Sequence, residues 1–243
     1  MGVKAGPRVS TNGLVFDIDA ANSRSYSGSG NTANGLIGGI GGTLVNGVGF
    51  SSANNGSFFF DGTNDFINIP SQTNLLSFGT NNFTISLWLY PKYVYSGSGF
   101  YYQTILSNYT SYESDFNSYL HVVLFNSDFY NFYDFISILD STGNYISGFG
   151  ISLLINQWSN VVFTKDGTTF SGYKNGIGST SVTKTGVNYS GSRNTKIGGG
   201  VSSTQTLSGN VTQVQLYNRA LSAQEILQNY NATKSRYGLW NVL

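Results

Sequence analysis

The sequence predicts an all-β, antiparallel fold with one short capped helix near the C-terminus, and three observations carry that prediction. Apolar residues alternate with polar ones at Leu14, Phe16 and Ile18, at Phe83, Ile85, Leu87 and Leu89, and at Val214 and Leu216. That period of two marks strands with one face in a core. Asp166-Gly167 and Asn175-Gly176 each stand between strand-like runs, and such dipeptides tolerate the positive φ that tight hairpin turns demand. Finally, Ser222 has Glu225 three residues on, the capping-box spacing in which each side chain satisfies a backbone N–H beside the other.

Each element follows in order. Residues 1–12 are polar around Pro7 and predict a terminal arm, loose or anchoring, so the folded domain is expected over 13–243. Leu14 to Asp19 reads as the first strand. From Ser23 to Gly49, Gly and Asn are frequent and the apolar spacing is irregular, which predicts a long surface connection with at most a short strand at Thr43 to Val45. Ser57 to Asp61 and Phe66 to Ile69 read as two strands of a hairpin across the Asp61-Gly62-Thr63-Asn64 turn. Phe83 to Leu89 is a central strand, with Trp88 packed beneath a loop. Strand-like runs follow at Phe132 to Leu139, Asn144 to Ile155 and Trp158 to Lys165, then the two hairpins, then the stretch from Lys196 to Leu207. After the strand at Thr212 to Leu216, Leu221 is placed to staple onto Ile226. Ile226, Leu227 and Tyr230 share the docking face of a helix of about two to three turns.

Composition narrows the function classes. The chain has 243 residues, enough for one large all-β domain with a sizeable core. Charged residues make up 9% and the net charge is +1, so nothing resembles the basic footprint that nucleic acid or anionic lipid requires. No apolar run reaches the length of a secretory or membrane-spanning segment; a soluble chain without a signal peptide is expected. There is no Cys and a single His, His121, which removes thiolate metal sites, thiol nucleophiles and HExxH-type zinc sites. His121 lies between Leu120 and Val122 in a strand-like run and reads as an ordinary strand histidine.

Four stretches also carry a resemblance to a family. Residues 209–226 (GNVTQVQLYNRALSAQEI), Phe60-Asp61-Gly62-Thr63-Asn64-Asp65-Phe66-Ile67, Phe83-Thr84-Ile85-Ser86-Leu87-Trp88, and Trp158 through Ile177 resemble, in order, laminin-G-like domains of the concanavalin-A-type lectin/glucanase kind. The resemblance implies an antiparallel two-sheet jelly-roll β-sandwich. The opening Gly13 to Asn22, with Ser25 to Gly30, resembles a branch common among structural proteins of tailed bacteriophages. It implies a virion protein on the particle exterior, as capsid decoration or fibre, with other virion proteins or copies of itself as partners.

Two candidate sites follow. Tyr93 to Tyr133 is dense in Tyr and Phe among Ser, Gly and Asn, the mix of recognition surfaces. Tyr101, Tyr102, Tyr109 and Tyr112 are its candidate contact residues for a glycan or a neighbouring subunit; the alternative is that these rings fill strands. Asp61 and Asp65 flank a turn, where carboxylates accept turn N–H groups or, with carbonyl oxygens, hold Ca²⁺. An enzyme reading needs two carboxyl groups flanking a glycosidic bond, yet the only Glu residues are Glu113 and Glu225, and Glu225 belongs to the cap. The sequence therefore predicts a non-enzymatic virion structural protein with a host-surface glycan as a further partner. A stand-alone lectin-like adhesin and a polysaccharide-degrading enzyme are the alternatives.

Overall fold

The structure, a computed structural model, describes residues 7–92, 101–108, 119–126, 132–133, 135–139, 145–146, 149–199 and 205–239. Two antiparallel eight-stranded sheets make a jelly-roll sandwich. The first contains β1 (Leu14–Asp19), β4 (Gly49–Ser51), β5 (Ser57–Asp61), β7 (Phe83–Pro91), β14 (Ser159–Asp166), β15 (Thr169–Lys174), β16 (Ile177–Thr183) and β18 (Ser208–Tyr217). Its order is β16-β15-β14-β7-β18-β5-β4, with β1 paired to the second half of β18. The second contains β2 (Thr32–Ala33), β3 (Gly42–Val45), β6 (Phe66–Ile69), β8 (Tyr101–Ser107), β9 (His121–Asn126), β11 (Phe135–Leu139), β12 (Tyr145–Ile146) and β17 (Thr195–Ile197), in the order β12-β11-β9-β8-β17-β6-β3-β2. A short ribbon pairs β10 (Phe132–Tyr133) with β13 (Leu153–Leu154).

The core lies between the sheets and is built by the alternation read from the sequence. Phe83, Ile85, Leu87 and Leu89 of β7, with Phe58, Phe60, Val161, Phe163, Val214 and Leu216 of the same sheet, meet Ile67, Ile69, Leu106, Val122 and Leu124 of the second sheet. Both dipeptide turns form where expected, joining β14 to β15 and β15 to β16. Asn175 and Gly176 carry φ of 53° and 79°, the positive values that a two-residue hairpin loop requires.

Three expectations are corrected. β5 and β6 do not pair: the Asp61–Asn64 turn carries the chain from the first sheet to the second. Phe58 and Phe60 on one side and Ile67 and Ile69 on the other then face each other across the core, which burial rewards more than a flat hairpin would. The segment from Ser23 to Gly49 is not wholly superficial. Tyr26 packs edge-on against Phe58 at 5.2 Å, and Ala33, Leu44 and Val48 are buried. On the helix, α1 (Ala223–Thr233), the buried positions are Ile226, Asn229 and Thr233, while Leu227 is exposed. The helix docks on a sheet face that is largely polar, so an amide and a hydroxyl suit it where Leu227 does not.

The capping box forms as predicted. Ser222 Oγ accepts the Glu225 N–H at 3.3 Å, and Glu225 Oε2 accepts the Ser222 N–H at 3.0 Å. Leu221 and Ile226 share one apolar cluster with Val162 and Tyr217. Of the expected terminal arm, residues 8–12 lie docked. Arg8 O accepts from Gln228, Ser10 N–H donates to Asn229 Oδ1, and Asn12 O accepts from Arg219.

Candidate functional site

The outer face of the first sheet, turned away from the core, carries the chemistry. Alternation sends Thr84, Ser86, Trp88 and Tyr90 of β7 to this face, with Asn210, Gln213, Gln215 and Tyr217 of β18 beside them. α1 and the 3-10 turn Lys234–Tyr237 cover one half. Trp88 stacks on Tyr237 at 3.9 Å and on Tyr230 at 5.8 Å, and its Nε1–H donates to Thr233 Oγ1 at 3.0 Å. The loop expected over Trp88 is therefore the C-terminal helix. Beneath it, Asp17 accepts hydrogen bonds from Gln213 Nε2 at 3.0 Å and Gln215 Nε2 at 3.1 Å. Burial pushes the Asp17 carboxyl up to about 6, and the two amides pull against that shift. Asp19, also buried, accepts from Arg236 Nη1 at 2.6 Å.

The other half of that face is open. Antiparallel register places Phe59 beside Asn210 and Asn210 beside Tyr90. Because Ser159 pairs with Leu89, Trp158 continues the same row across β14. Phe59, Asn210, Tyr90 and Trp158 thus form one transverse row, all half-buried. With strands roughly 4.8 Å apart, Phe59 and Tyr90 stand about 10 Å from each other with Asn210 between them. Tyr90 and Trp158 rings lie 5.4 Å apart, and Trp158 is braced from behind by Tyr237 at 4.9 Å. At the other end, Gly49 opposite Phe59 keeps the row open, since a Cβ there would sit 3.3 Å from the Phe59 ring. The result is a groove of about 380 Å³, walled by the 3-10 turn Ala53–Asn55.

The polar groups of Asn210, Trp158, Tyr90 and Asn54 in the groove are open to a ligand. Asn210 Nδ2 donates to Ser57 Oγ at 3.0 Å, which leaves its Oδ1 as an acceptor. Among the described residues, Trp158 Nε1, the Tyr90 hydroxyl and the Asn54 amide make no hydrogen bond within the protein. Lys92 Nζ sits 4.7 Å from the Phe59 ring centre, and Lys92 N–H donates to Ser208 O.

Of the residues predicted as sites, Tyr102, Asp61 and Asp65 lie elsewhere. Tyr102 is half-buried on β8, with its ring against His121 at 5.8 Å and Phe125 at 5.6 Å. Tyr101 opens β8, and its side chain lies outside the described residues, as do Tyr109 and Tyr112 altogether. Asp61 Oδ1 accepts the Thr63 and Asn64 N–H groups of its own turn, and Asp65 Oδ2 accepts the Asp61 N–H at 3.1 Å. Asp65 Oδ1 is buried without a partner among the described residues, and burial, opposed by the Asp61 N–H and reinforced by the Asp61 charge, raises its pKa. No cluster of three or more His, Cys, Asp or Glu occurs among the described residues. Of the six to eight oxygens Ca²⁺ takes, these two side chains offer one that is both buried and unspent, a poor fit. His121 is fully buried, with Nε2 2.8 Å from Thr104 Oγ1, and desolvation lowers its pKa to about 3. It is a hydrogen-bonded strand histidine, as expected, and its burial keeps it neutral. Glu225 is held at about 2, first by its hydrogen bond with Arg219.

Sequence reasoning missed the row. Its signal is parity: Phe59 lies between the core positions Phe58 and Phe60, and Tyr90 follows Leu89, so both place an aromatic ring on the face alternation assigns to solvent.

The family model for the concanavalin A-like lectin/glucanases superfamily matches residues 61–227. The chain belongs to that superfamily. No curated protein matches it by sequence. Among solved structures, domain 4 of AbnA, a GH43 extracellular arabinanase from Geobacillus stearothermophilus solved with arabinotriose, is similar with a TM-score of 0.67 and 15% identity over 89% of this chain and 98% of that one. The botulinum neurotoxin serotype G binding domain aligns with a TM-score of 0.62 and 19% identity over 89% of this chain and 50% of its own. A Trypanosoma rangeli sialidase in complex with 2,3-difluorosialic acid aligns with a TM-score of 0.65 and 17% identity, over 96% of this chain and 35% of the sialidase. This chain therefore spans half of the toxin binding domain and about a third of the sialidase. At these identities the likeness is one of fold. No helix among the described residues is long and apolar enough to cross a membrane.

Proposed function

We propose that the protein is a non-enzymatic binding module that takes a saccharide on the row Phe59, Asn210, Tyr90 and Trp158. The observation that carries this is the row itself: three aromatic rings held on a rigid sheet at the edge of a groove, interleaved with unspent amide, indole and hydroxyl groups. Sugar rings present C–H faces that aromatic rings cover, and hydroxyls that amides bind; a small set of placed polar groups among apolar ones is the general form of a ligand site. The similar AbnA domain was solved with arabinotriose, which supports the same ligand class. Against catalysis, no carboxylate is among the described groove-lining residues, and a glycosidase needs two. The setting we propose is the exterior of a phage-type particle, as decoration or fibre, on the resemblance of residues 13–30. Copies of itself or other virion proteins would hold it there, and mass spectrometry of purified particles tests that placement.

The site is tested by screening wild type and Trp158→Ala against an oligosaccharide array, with calorimetry on the hits. Loss of about 2 kcal/mol or more in the variant, the range for truncated aromatic anchors, with a melting transition that remains cooperative, is the expected result. Equal binding by the variant would move the site elsewhere, and turnover of a bound saccharide would overturn the non-enzymatic assignment.

A further inference from the structure

The aromatic row has an axis. It runs across the strands, from Phe59 on β5 through Asn210 on β18 and Tyr90 on β7 to Trp158 just before β14, three strand spacings or about 14 Å. Along the strands the way is shut on one side, because two residues before Tyr90 on β7 stands Trp88, roofed by Tyr230 and Tyr237. At the Phe59 end the next strand presents Gly49, which sets no side chain against the Phe59 ring. The rings fall into two stations. Tyr90 and Trp158 form a pair with centres 5.4 Å apart and planes tilted by 54°, and Phe59 stands alone on the far side of Asn210. Two rings at that tilt cannot both lie flat on one plane, and the turn Ala53–Asn55 lines the same groove as a wall.

Resting on the saccharide reading above, we infer that the ligand is a single soluble glycan chain, twisted along its length, that lies across the strands and engages both stations at once. One unit is cradled by the tilted pair Tyr90 and Trp158, another packs on Phe59, and the stretch between them passes Asn210. The gap from Tyr90 to Phe59, about two strand spacings or 10 Å, is too long for one sugar ring to touch both. A flat crystalline face would need its contact rings in one plane, and the tilt of Tyr90 against Trp158 denies it that. A chain whose successive units turn relative to one another meets differently tilted rings in succession, each ring covering a C–H face. Between the stations, the Asn210 amide is tied to Ser57 Oγ through Nδ2, so Oδ1 is left for a hydroxyl of the chain, a placed polar group among apolar contacts. The stations differ in kind: Tyr90 and Trp158 add a hydroxyl and an indole N–H to their rings, whereas Phe59 offers a ring alone. The pair anchors the chain, and Phe59 rewards its length.

Calorimetry with two ladders tests this, α-1,5-linked arabino-oligosaccharides and β-1,4-linked cello-oligosaccharides of one to five units, with microcrystalline cellulose as the flat-surface probe. On at least one ladder, wild-type affinity should rise about tenfold between the shortest length that binds and the length that reaches Phe59, the scale of one further ring contact, and then level off. Microcrystalline cellulose should retain no protein. Phe59→Ala should flatten the rise while leaving the shortest bound length unaffected, and Trp158→Ala should weaken every length together; a cooperative melting transition in each variant separates these effects from misfolding. A single sugar bound as tightly as the longest chain would overturn the chain reading and leave the saccharide site standing. So would adsorption to microcrystalline cellulose that Trp158→Ala abolishes. A length increment that survives Phe59→Ala would overturn the assignment of the second station. Absence of binding on both ladders and on cellulose would overturn the saccharide reading as well.

Discussion

Under α1, the first sheet keeps Asp17, Gln213, Gln215 and Asn160 away from water; a few residues along the same face, Phe59, Tyr90 and Trp158 are left partly open to it. Beside the Trp88 stack, the covered half buries carboxylates and amides that hydrogen bonds close, and the open half leaves aromatic rings half-exposed. Ordinary burial would arrange them the other way, because a covered carboxylate costs free energy unless it is paired, while a half-open ring gains only part of what full burial would give it. The covered half tolerates its polarity because its carboxylates and amides have partners: Gln213 and Gln215 on Asp17, Arg236 on Asp19, and Ser86 beside Asn160. The open half has no such folding rationale, which is why its rings point to a ligand.

The comparison breaks most readily at Arg236. Replacing it with Met leaves the buried Asp19 carboxylate unpaired, and the expected loss is about 3 kcal/mol by denaturant titration. A loss below about 0.5 kcal/mol would mean that the Trp88, Tyr230 and Tyr237 stack alone holds the covered half.

Asp17 sharpens the same contrast through pH. Its folded pKa, about 6, lies above the ordinary carboxyl value of 3.8, so the folded state binds this proton more tightly than the unfolded state does. Stability contributed by this group therefore rises as pH falls from 7 through 6 towards 4, by about 1–3 kcal/mol. Melting curves across that window should show the rise in wild type and lose it in Asp17→Asn. The same slope in both would assign it to another group.

Ser222→Ala removes the cap that starts the covering helix, and about 1 kcal/mol of stability should go with it. A change within error by chemical denaturation would mean that Arg219 and Ser10, which also hold Glu225, secure the helix start without Ser222. Calcium should give the smallest effect. On the strength of the unspent Asp65 Oδ1, we propose weak binding that raises the melting temperature by roughly 1–2 °C at millimolar Ca²⁺. Asp65→Ala should abolish the rise, and an unchanged curve in wild type would leave Asp65 as a turn acceptor only.

Local rules made much of this protein legible in its residues. Alternation located β1, β7 and β18, Asn-Gly and Asp-Gly located the two hairpins, and the Ser222–Glu225 spacing located the helix start, because each depends on neighbours a few positions away. Ordered motifs at Phe60 to Ile67 and residues 209–226 identified the superfamily. What only the tertiary structure decided is which strands share a sheet and which residues share a face. Whether Asp61–Asn64 closes a hairpin or crosses between sheets depends on Phe58 and Ile67 finding opposite sides of one core. The row Phe59, Asn210, Tyr90 and Trp158 joins four strands from distant parts of the chain, and no local pattern encodes their register. Asp17 and Asp19 look like ordinary polar positions of an alternating strand. Only the return of the C-terminal helix over them, bringing Arg236 from more than two hundred residues away, makes one a buried acid and the other half of an ion pair.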